Sequence, residues 1–345
     1  VDLFMDGEQN RGTSIATAIN RFNNFYPDPI TGKPAVDITP DGAGGYSIGE
    51  IRVDTDWFNE LTRTGINQSY DLSVSGGNDV LTYFASASYF DQEAPVIGVG
   101  LDRYSTRANV SVQALPWLKL TNNLNVSRTY QSGPDDDTAF SNPMYTMYLL
   151  PAVIPTKDAQ GLYYDAHKSF FMGGNNPVGS LSGDDDLYWI LNRIVDNVSA
   201  EVTLAKGLKF KSNWAIDLYG YNEVYYRNAR YGDGRNSGGF AQETARNITN
   251  WLGAQTLNYN KTIGEVHNFS ALAGYEANKV TNRSFFVQGE NFPPSPQLRT
   301  IENASLISGG TSSLTGFAFE SIFGRVSYNY NYKYYLSGSL RRDGS

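Results

Sequence analysis

The sequence predicts an all-β protein, an antiparallel up-and-down β-barrel that crosses a membrane. Three observations predict it. Apolar and polar side chains alternate with period two in segment after segment. The alternating segments outrun the usual soluble strand of about 5–6 residues and suit a membrane crossing, which takes about 9–11. Short and long connections also take turns along the chain, as they do when hairpins close tightly on one side of a bilayer and loosely on the other.

Taken in order, residues 1–65 stand apart from the strands. "TSIATAINRFNNF" begins with Ser/Thr and spaces Ile15, Ile19 and Phe22 as a short helix does. "YPDPITGKPAVDITPDGAGG" is turn-rich and predicts irregular chain. The strands follow. In "SYDLSVSGGNDVLTYFASASYF" one face carries Tyr70, Leu72, Val74, Leu81, Tyr83 and Tyr89, and the other Ser69, Asp71, Ser73 and Ser75. Residues 103–113 set Tyr104, Val110 and Val112 against Arg103, Arg107 and Ser111; residues 118–130 set Leu118, Leu120, Leu124 and Val126 against Lys119, Asn123 and Asn125. Residues 194–204, 208–219, 267–276, 322–331 and 336–341 repeat the pattern, and 247–259 does so more weakly, giving about ten strands of about 10–14 residues. Asp196 is the charge that falls on an apolar face.

Leu118 to Tyr130, at about 3.3 Å per residue and a tilt of about 45°, covers about 28 Å, a hydrocarbon thickness. The apolar face then meets lipid and the polar face a lumen. The tight turns are 76–79, 114–117, 205–207, 261–264 and 331–333; the long links are 91–102, 131–191, 220–246 and 277–316. The long links belong outside the cell and the short turns in the periplasm. Residues 1–65, which precede a strand descending to a tight turn, therefore lie on the extracellular side, and 66–345 form a partial barrel.

Composition agrees. Charged residues make up 18 % of the 345 and aromatics 14 %, with 24 Tyr. That is fewer charges than the about 25 % of soluble domains, and the aromatic surplus suits interfacial girdles. A net charge of −8 argues against nucleic acid or an anionic lipid surface as an electrostatic partner. Without Cys there is no thiol catalysis, disulfide or Cys metal site, and two His, His167 and His267, a hundred positions apart leave no all-His zinc site. No catalytic or metal site and no cofactor is expected.

"DTDWFNELTRTG", "YDLSVSGGND", "ASYFDQEAPVIG", "RYSTRANV" and "FESIFGRVSYNYNYKYYLSGSLRRDGS" together resemble SusC-like TonB-dependent outer-membrane transporters of the Bacteroidetes. The resemblance implies a 22-strand barrel of which this chain supplies about the N-terminal half, as a fragment of a longer protein. It implies a lumenal plug and a TonB-contacting segment, neither of them in this sequence, and a SusD-like surface lipoprotein as lid. It implies active import of oligosaccharides or other large nutrients such as peptides, a multi-pass outer-membrane location, and no enzyme activity. A passive porin or adhesin barrel and a secreted, soluble β-rich glycosidase or carbohydrate-binding protein are the competing readings.

The candidate cargo-contacting residues are Trp189, Tyr219 and Tyr221, from two aromatic groups: Tyr163, Tyr164, Phe170, Phe171, Tyr188 and Trp189, then Tyr219, Tyr221, Tyr225, Tyr226 and Tyr231. Aromatic faces stack on sugars and on peptide side chains; girdle or loop packing is the alternative use. Alternation carried back from Ser199 and Asn197 turns Trp189 inward and Tyr188 outward. Arg107, Glu201, Asp217, Arg325 and Arg341, with Lys209 and Lys211, are expected to face the lumen, where they meet plug, water or cargo. The acidic triplets Asp135–Asp137 and Asp184–Asp186 lack calcium-loop spacing and are expected in a solvated loop. "GDGRNSGG" (232–239) predicts a mobile loop, and His267 a structural residue at the periplasmic rim.

Overall fold

The computed structural model describes residues 1–134, 142–164 and 176–345. Ten strands form one sheet: β3 (Asn67–Gly77), β4 (Leu81–Glu93), β5 (Gly100–Leu115), β6 (Leu118–Ser132), β7 (Asp186–Ala205), β8 (Leu208–Arg227), β9 (Phe240–Ile263), β10 (His267–Glu290), β11 (Leu306–Tyr330) and β12 (Tyr334–Gly344). Each is hydrogen-bonded to its neighbours in sequence, so spatial order equals chain order and every pair is antiparallel. This is the up-and-down barrel wall, left open at β3 and β12.

Register keeps the two faces apart across the sheet. Leu118, Val202, Phe210, Leu257, Ala273, Gly324 and Leu340 stand in one row, strand beside strand. The next row, on the other face, runs Lys119, Glu201, Lys211, Thr256. A slip of one residue would put the charges into lipid, so the lipid boundary pins the register. On the outer face Tyr70, Tyr89 and Tyr104 stack in series, with ring centroids 6.3 and 4.8 Å apart. Tyr130 and Tyr188 add a further pair at 5.3 Å, as an upper girdle requires.

Three features differ from expectation. β3, β4 and β12 have the expected lengths, at 11, 13 and 11 residues, but β5–β11 run past them, and β9–β11 are 24, 24 and 25. Their upper parts rise beyond the lipid, where alternation is no longer enforced and their pattern is hard to read. The long links shrink accordingly to 94–99, 133–185, 228–239 and 291–305. The outer face also carries more charge than Asp196. Arg128 stands opposite Tyr104, and Lys279 and Arg283 share the outer face of β10 with Tyr275. Asp196 itself accepts a 2.6 Å hydrogen bond from Asn122 Nδ2 on the same face, which reduces the cost of placing a carboxylate there.

Residues 1–65 hold more than the one short helix expected. The helices are α1 (Asp2–Asn10), α2 (Ile15–Phe25) and α3 (Trp57–Leu61), and the turn-rich stretch contains β1 (Val36–Pro40), which pairs with β2 (Tyr46–Ile51). The Ser14 hydroxyl caps α2 by accepting from Thr17 N. These elements share one buried core with the long link, whose α4 (Pro143–Leu149) and α5 (Pro177–Leu181) supply Met147, Val178 and Leu181 beside Met5, Phe22, Trp57 and Leu61. The Trp57 indole N–H donates to Pro151 O at 3.2 Å and Thr55 Oγ1 to Ile154 O at 2.7 Å, sewing the two segments together.

Candidate functional site: the inner mouth

The mouth is built by the upper ends of β7–β10. Strict alternation with no bulge between Thr203 and Asp186 turns Leu187, Trp189 and Leu191 to the inner face. Trp189 lies opposite Glu223, and Leu191 opposite Tyr221. Leu187, Tyr225, Gln242 and Gln288 form the row above. Trp189, Tyr221, Glu223, Tyr225, Arg227 and Gln242 line a cavity of about 600 Å³ that opens on the lumen. The Trp189 ring leans over Gly133: a Cβ built there would lie 3.2 Å from it. The Tyr221 hydroxyl donates to the Glu223 carboxylate. Gln288 Nε2 donates to Gln242 Oε1 at 2.6 Å, leaving amide groups for a guest. The chemistry is aromatic area beside oriented hydrogen-bonding groups, suited to reversible capture of a polar ligand.

Two of the three candidate aromatics thus meet in one cavity. Tyr219 shares their face but sits two residues lower on β8, opposite Arg193 and Ile248, outside the cavity lining. Tyr188 is on the outer face against Tyr130. Tyr226 and Tyr231 are buried, packing on Phe292 and Tyr163. The sequence reading missed Glu223, Gln242 and Gln288. Their signal is cross-strand register, which a single strand's alternation does not contain.

The charged wall residues mostly pair along the inner face. Asp217 takes both Nε and Nη2 of Arg193, at 2.9 and 2.7 Å. Glu201 takes Lys209 Nζ at 2.7 Å. Arg341 reaches Glu276 at 3.1 Å and Asp343 at 2.7 Å. Arg107 lies opposite Ser86 and Asn125, and Arg325 opposite Leu272 and Ser339. Exposed pairs such as these contribute little to stability, about 0–1 kcal/mol, and leave the wall polar and wettable. At the opposite rim His267 Nδ1 is 2.8 Å from the Tyr328 hydroxyl.

Asp184–Asp186 are not free in solvent. Asp184 accepts from the Tyr231 hydroxyl at 2.6 Å and pairs with Arg230 at 2.7 Å. Asp185 accepts from Asn228 N and Nδ2 at 2.7 and 2.8 Å. Asp186 pairs with Arg299 at 2.8 Å, and Arg299 also donates to Gly183 O at 2.7 Å. The triplet is a clamp joining links 133–185, 228–239 and 291–305. Burial, and then the adjacent Asp184, push the Tyr231 phenol well above its ordinary range. The stretch read as a mobile Gly-rich loop contains a 3₁₀ turn, Asp233–Ser237, and Ser237 O accepts from Asn291 N of link 291–305 at 3.0 Å. Asp135–Asp137, His167, Phe170 and Phe171 lie outside the described residues. Among the described residues, no group of three or more His, Asp or Glu could hold a metal ion.

Comparison with known proteins fits this architecture. No family model matches the chain. TonB-dependent receptor P3 of Formosa agariphila is 29 % identical over 307 residues, covering 84 % of this chain and 29 % of its own length. TonB-dependent receptor P26 of the same organism is 24 % identical over 296 residues, covering 84 % and 29 %. The chain thus spans about three tenths of the length of the curated relatives it matches. Among solved structures, the RagAB peptide transporter superposes with a TM-score of 0.69 at 23 % identity, over 84 % of this chain and 33 % of that one. The RagAB importer in its "open-open" state superposes equally well, at 24 % identity. By its sequence relatives and by its fold, the chain is a stretch of outer-membrane β-barrel wall related to the TonB-dependent receptors.

Proposed function

We propose that this chain forms part of the wall and mouth of a TonB-dependent importer that takes a large nutrient, foremost an oligosaccharide, across the outer membrane. The observation that carries this reading is the inward cavity of about 600 Å³ holding Trp189 and Tyr221 together at the long-link end. Trp189 supplies a stacking face; Glu223, Gln242 and Gln288 supply hydrogen bonds to hydroxyls. A SusD-like lipoprotein closes over the mouth, and TonB engages a segment of the protein outside this sequence. No residue here is assigned to chemistry, in keeping with relatives that are receptors.

The second reading is a peptide importer of the same kind. The presence of both Glu223 and Arg227 in the lining favours it, since a peptide carries both charges. Aromatic stacking beyond area burial is worth about 0.5–1.5 kcal/mol. Trp189→Ala in the intact transporter should therefore weaken cargo binding by several-fold, and Tyr188→Ala by less. Calorimetry with the co-purified ligand measures both; equal affinities for wild type and Trp189→Ala would discard the site. Uptake that persists in cells lacking TonB would support a passive barrel instead.

A further inference from the structure

The outer wall carries cations where a lipid-facing surface usually carries none. On β10 the outer face reads His267, Phe269, Ala271, Ala273, Tyr275 and Ala277, then Lys279, Thr281 and Arg283. From His267 to Ala277 the strand climbs about 23 Å at a 45° tilt, close to the about 25 Å apolar band of outer-membrane barrels. Lys279 therefore sits at the outer edge of the hydrocarbon and Arg283 in the headgroup zone above it. Both are exposed, and neither has a hydrogen-bond or ion-pair partner among the described residues. That contrasts, in a chain of net charge −8, with Arg230 and Arg299 at the mouth, which pair with Asp184 and Asp186.

The surroundings complete a cradle. Thr281 lies between the two cations on the same face. Thr249 and Asn247 stand beside Thr281 and Arg283 on β9. On the other side Ala318 and Gly316 face Lys279 and Thr281 from β11, keeping the floor shallow. Gly316 has no room for a side chain, since a Cβ there would fall 2.5 Å from Val280 O. The nearest carboxylate on this face, Glu320, lies one row lower, opposite Ala277, and ion-pairs with neither cation. We propose that Lys279, Thr281 and Arg283, with Thr249 and Asn247, bind the phosphate of a phosphorylated glycolipid in the outer leaflet. Two cations flank hydroxyl and amide donors, as a phosphate ester requires, while the acyl chains descend over Ala277 and Tyr275. Arg128 on β6 stands in the same cross-strand row as Arg283, four strands away, opposite Tyr104 and Asn192 and with no second cation on its face of β6.

The test is native mass spectrometry of the intact protein in detergent, titrated with monophosphoryl lipid A, its dephosphorylated form, phosphatidylethanolamine and inorganic phosphate. We expect selective retention of the monophosphoryl form, reduced roughly tenfold or more by Lys279→Gln with Arg283→Gln. Lys279→Arg should preserve it, which separates lost charge from lost folding. Arg128→Gln should leave it unchanged. Equal retention of the dephosphorylated form or of phosphatidylethanolamine, an unchanged double variant, an equal loss in Arg128→Gln, or displacement by millimolar inorganic phosphate would each overturn the assignment.

Discussion

At the level of single residues, the buried charge that most invites experiment is Glu8. It is 5 % exposed on α1, pairs with Arg21, and lies 3.4 Å from Arg11. The Arg21 hydrogen bond holds its carboxyl below the usual carboxylate range. A depressed folded-state pKa gives stability that is present above the unfolded value and lost as pH falls through the folded one. The α1–α2 packing should thus stay closed at pH 7 and loosen as pH drops below about 4.3. Faster amide exchange in residues 1–25 at pH 3 than at pH 6, corrected for intrinsic rate, checks it, and Glu8→Gln should flatten the difference. Residue-scale legibility was uneven. The inward turn of Trp189 follows from period two alone. The donors around it do not, because Gln242 and Gln288 come within reach only through the registers of β8–β9 and β9–β10.

Among elements, the helical layer over the long-link end shows why local pattern is insufficient. Ile15, Ile19 and Phe22 announce α2 in sequence, whereas α1, α3 and α4 are short and take their stability from a shared core. Leu61 is fully buried there, so Leu61→Ala should cost about 2–5 kcal/mol and loosen this layer while leaving the strands hydrogen-bonded. Fluorescence of Trp57 during urea titration reports it. The acidic clamp belongs to the same scale. Arg299→Gln removes the pairing to Asp186 and the bond to Gly183 O, and should render links 228–239 and 291–305 cleavable by limited proteolysis at protease levels that spare the wild type. Because 142–164 contributes to the core, deletions within 133–185 should disturb residues 1–65 as well. A run of three aspartates cannot announce such a role, since its partners lie in other links.

For the molecule as a whole, the two-faced wall makes a direct prediction. Val110 and Val202 face lipid; Ser111 and Thr203 face the lumen. Arg at Val110, deeper in the bilayer, should destabilise the barrel by about 2–4 kcal/mol, Arg at Val202, opposite Leu118 beside the tight turn, by about 0–1 kcal/mol, and Arg at Ser111 or Thr203 should be mild. Unfolding in lipid vesicles with urea separates Val110 from the others. This part of the fold was legible because lipid imposes one rule on every strand at once. The strand heights were not, since water on both sides of the upper wall relaxes that rule, and Phe317 and Phe319 accordingly point inward there.

The length of β9–β11 has a further consequence. A strand of 25 residues tilted at 45° spans about 55–60 Å, of which lipid claims about 25. Each of these strands is therefore an anchor below and a mast above, one ribbon serving two solvents. The mast is the part of the wall that stands in water on both faces. Insertions in links 228–239 and 291–305 or charge changes on either side of it alter what the cell presents, while the anchor below stays locked in register by lipid. The exposed end of this wall can change its sequence without altering the pattern by which the lower end sits in lipid.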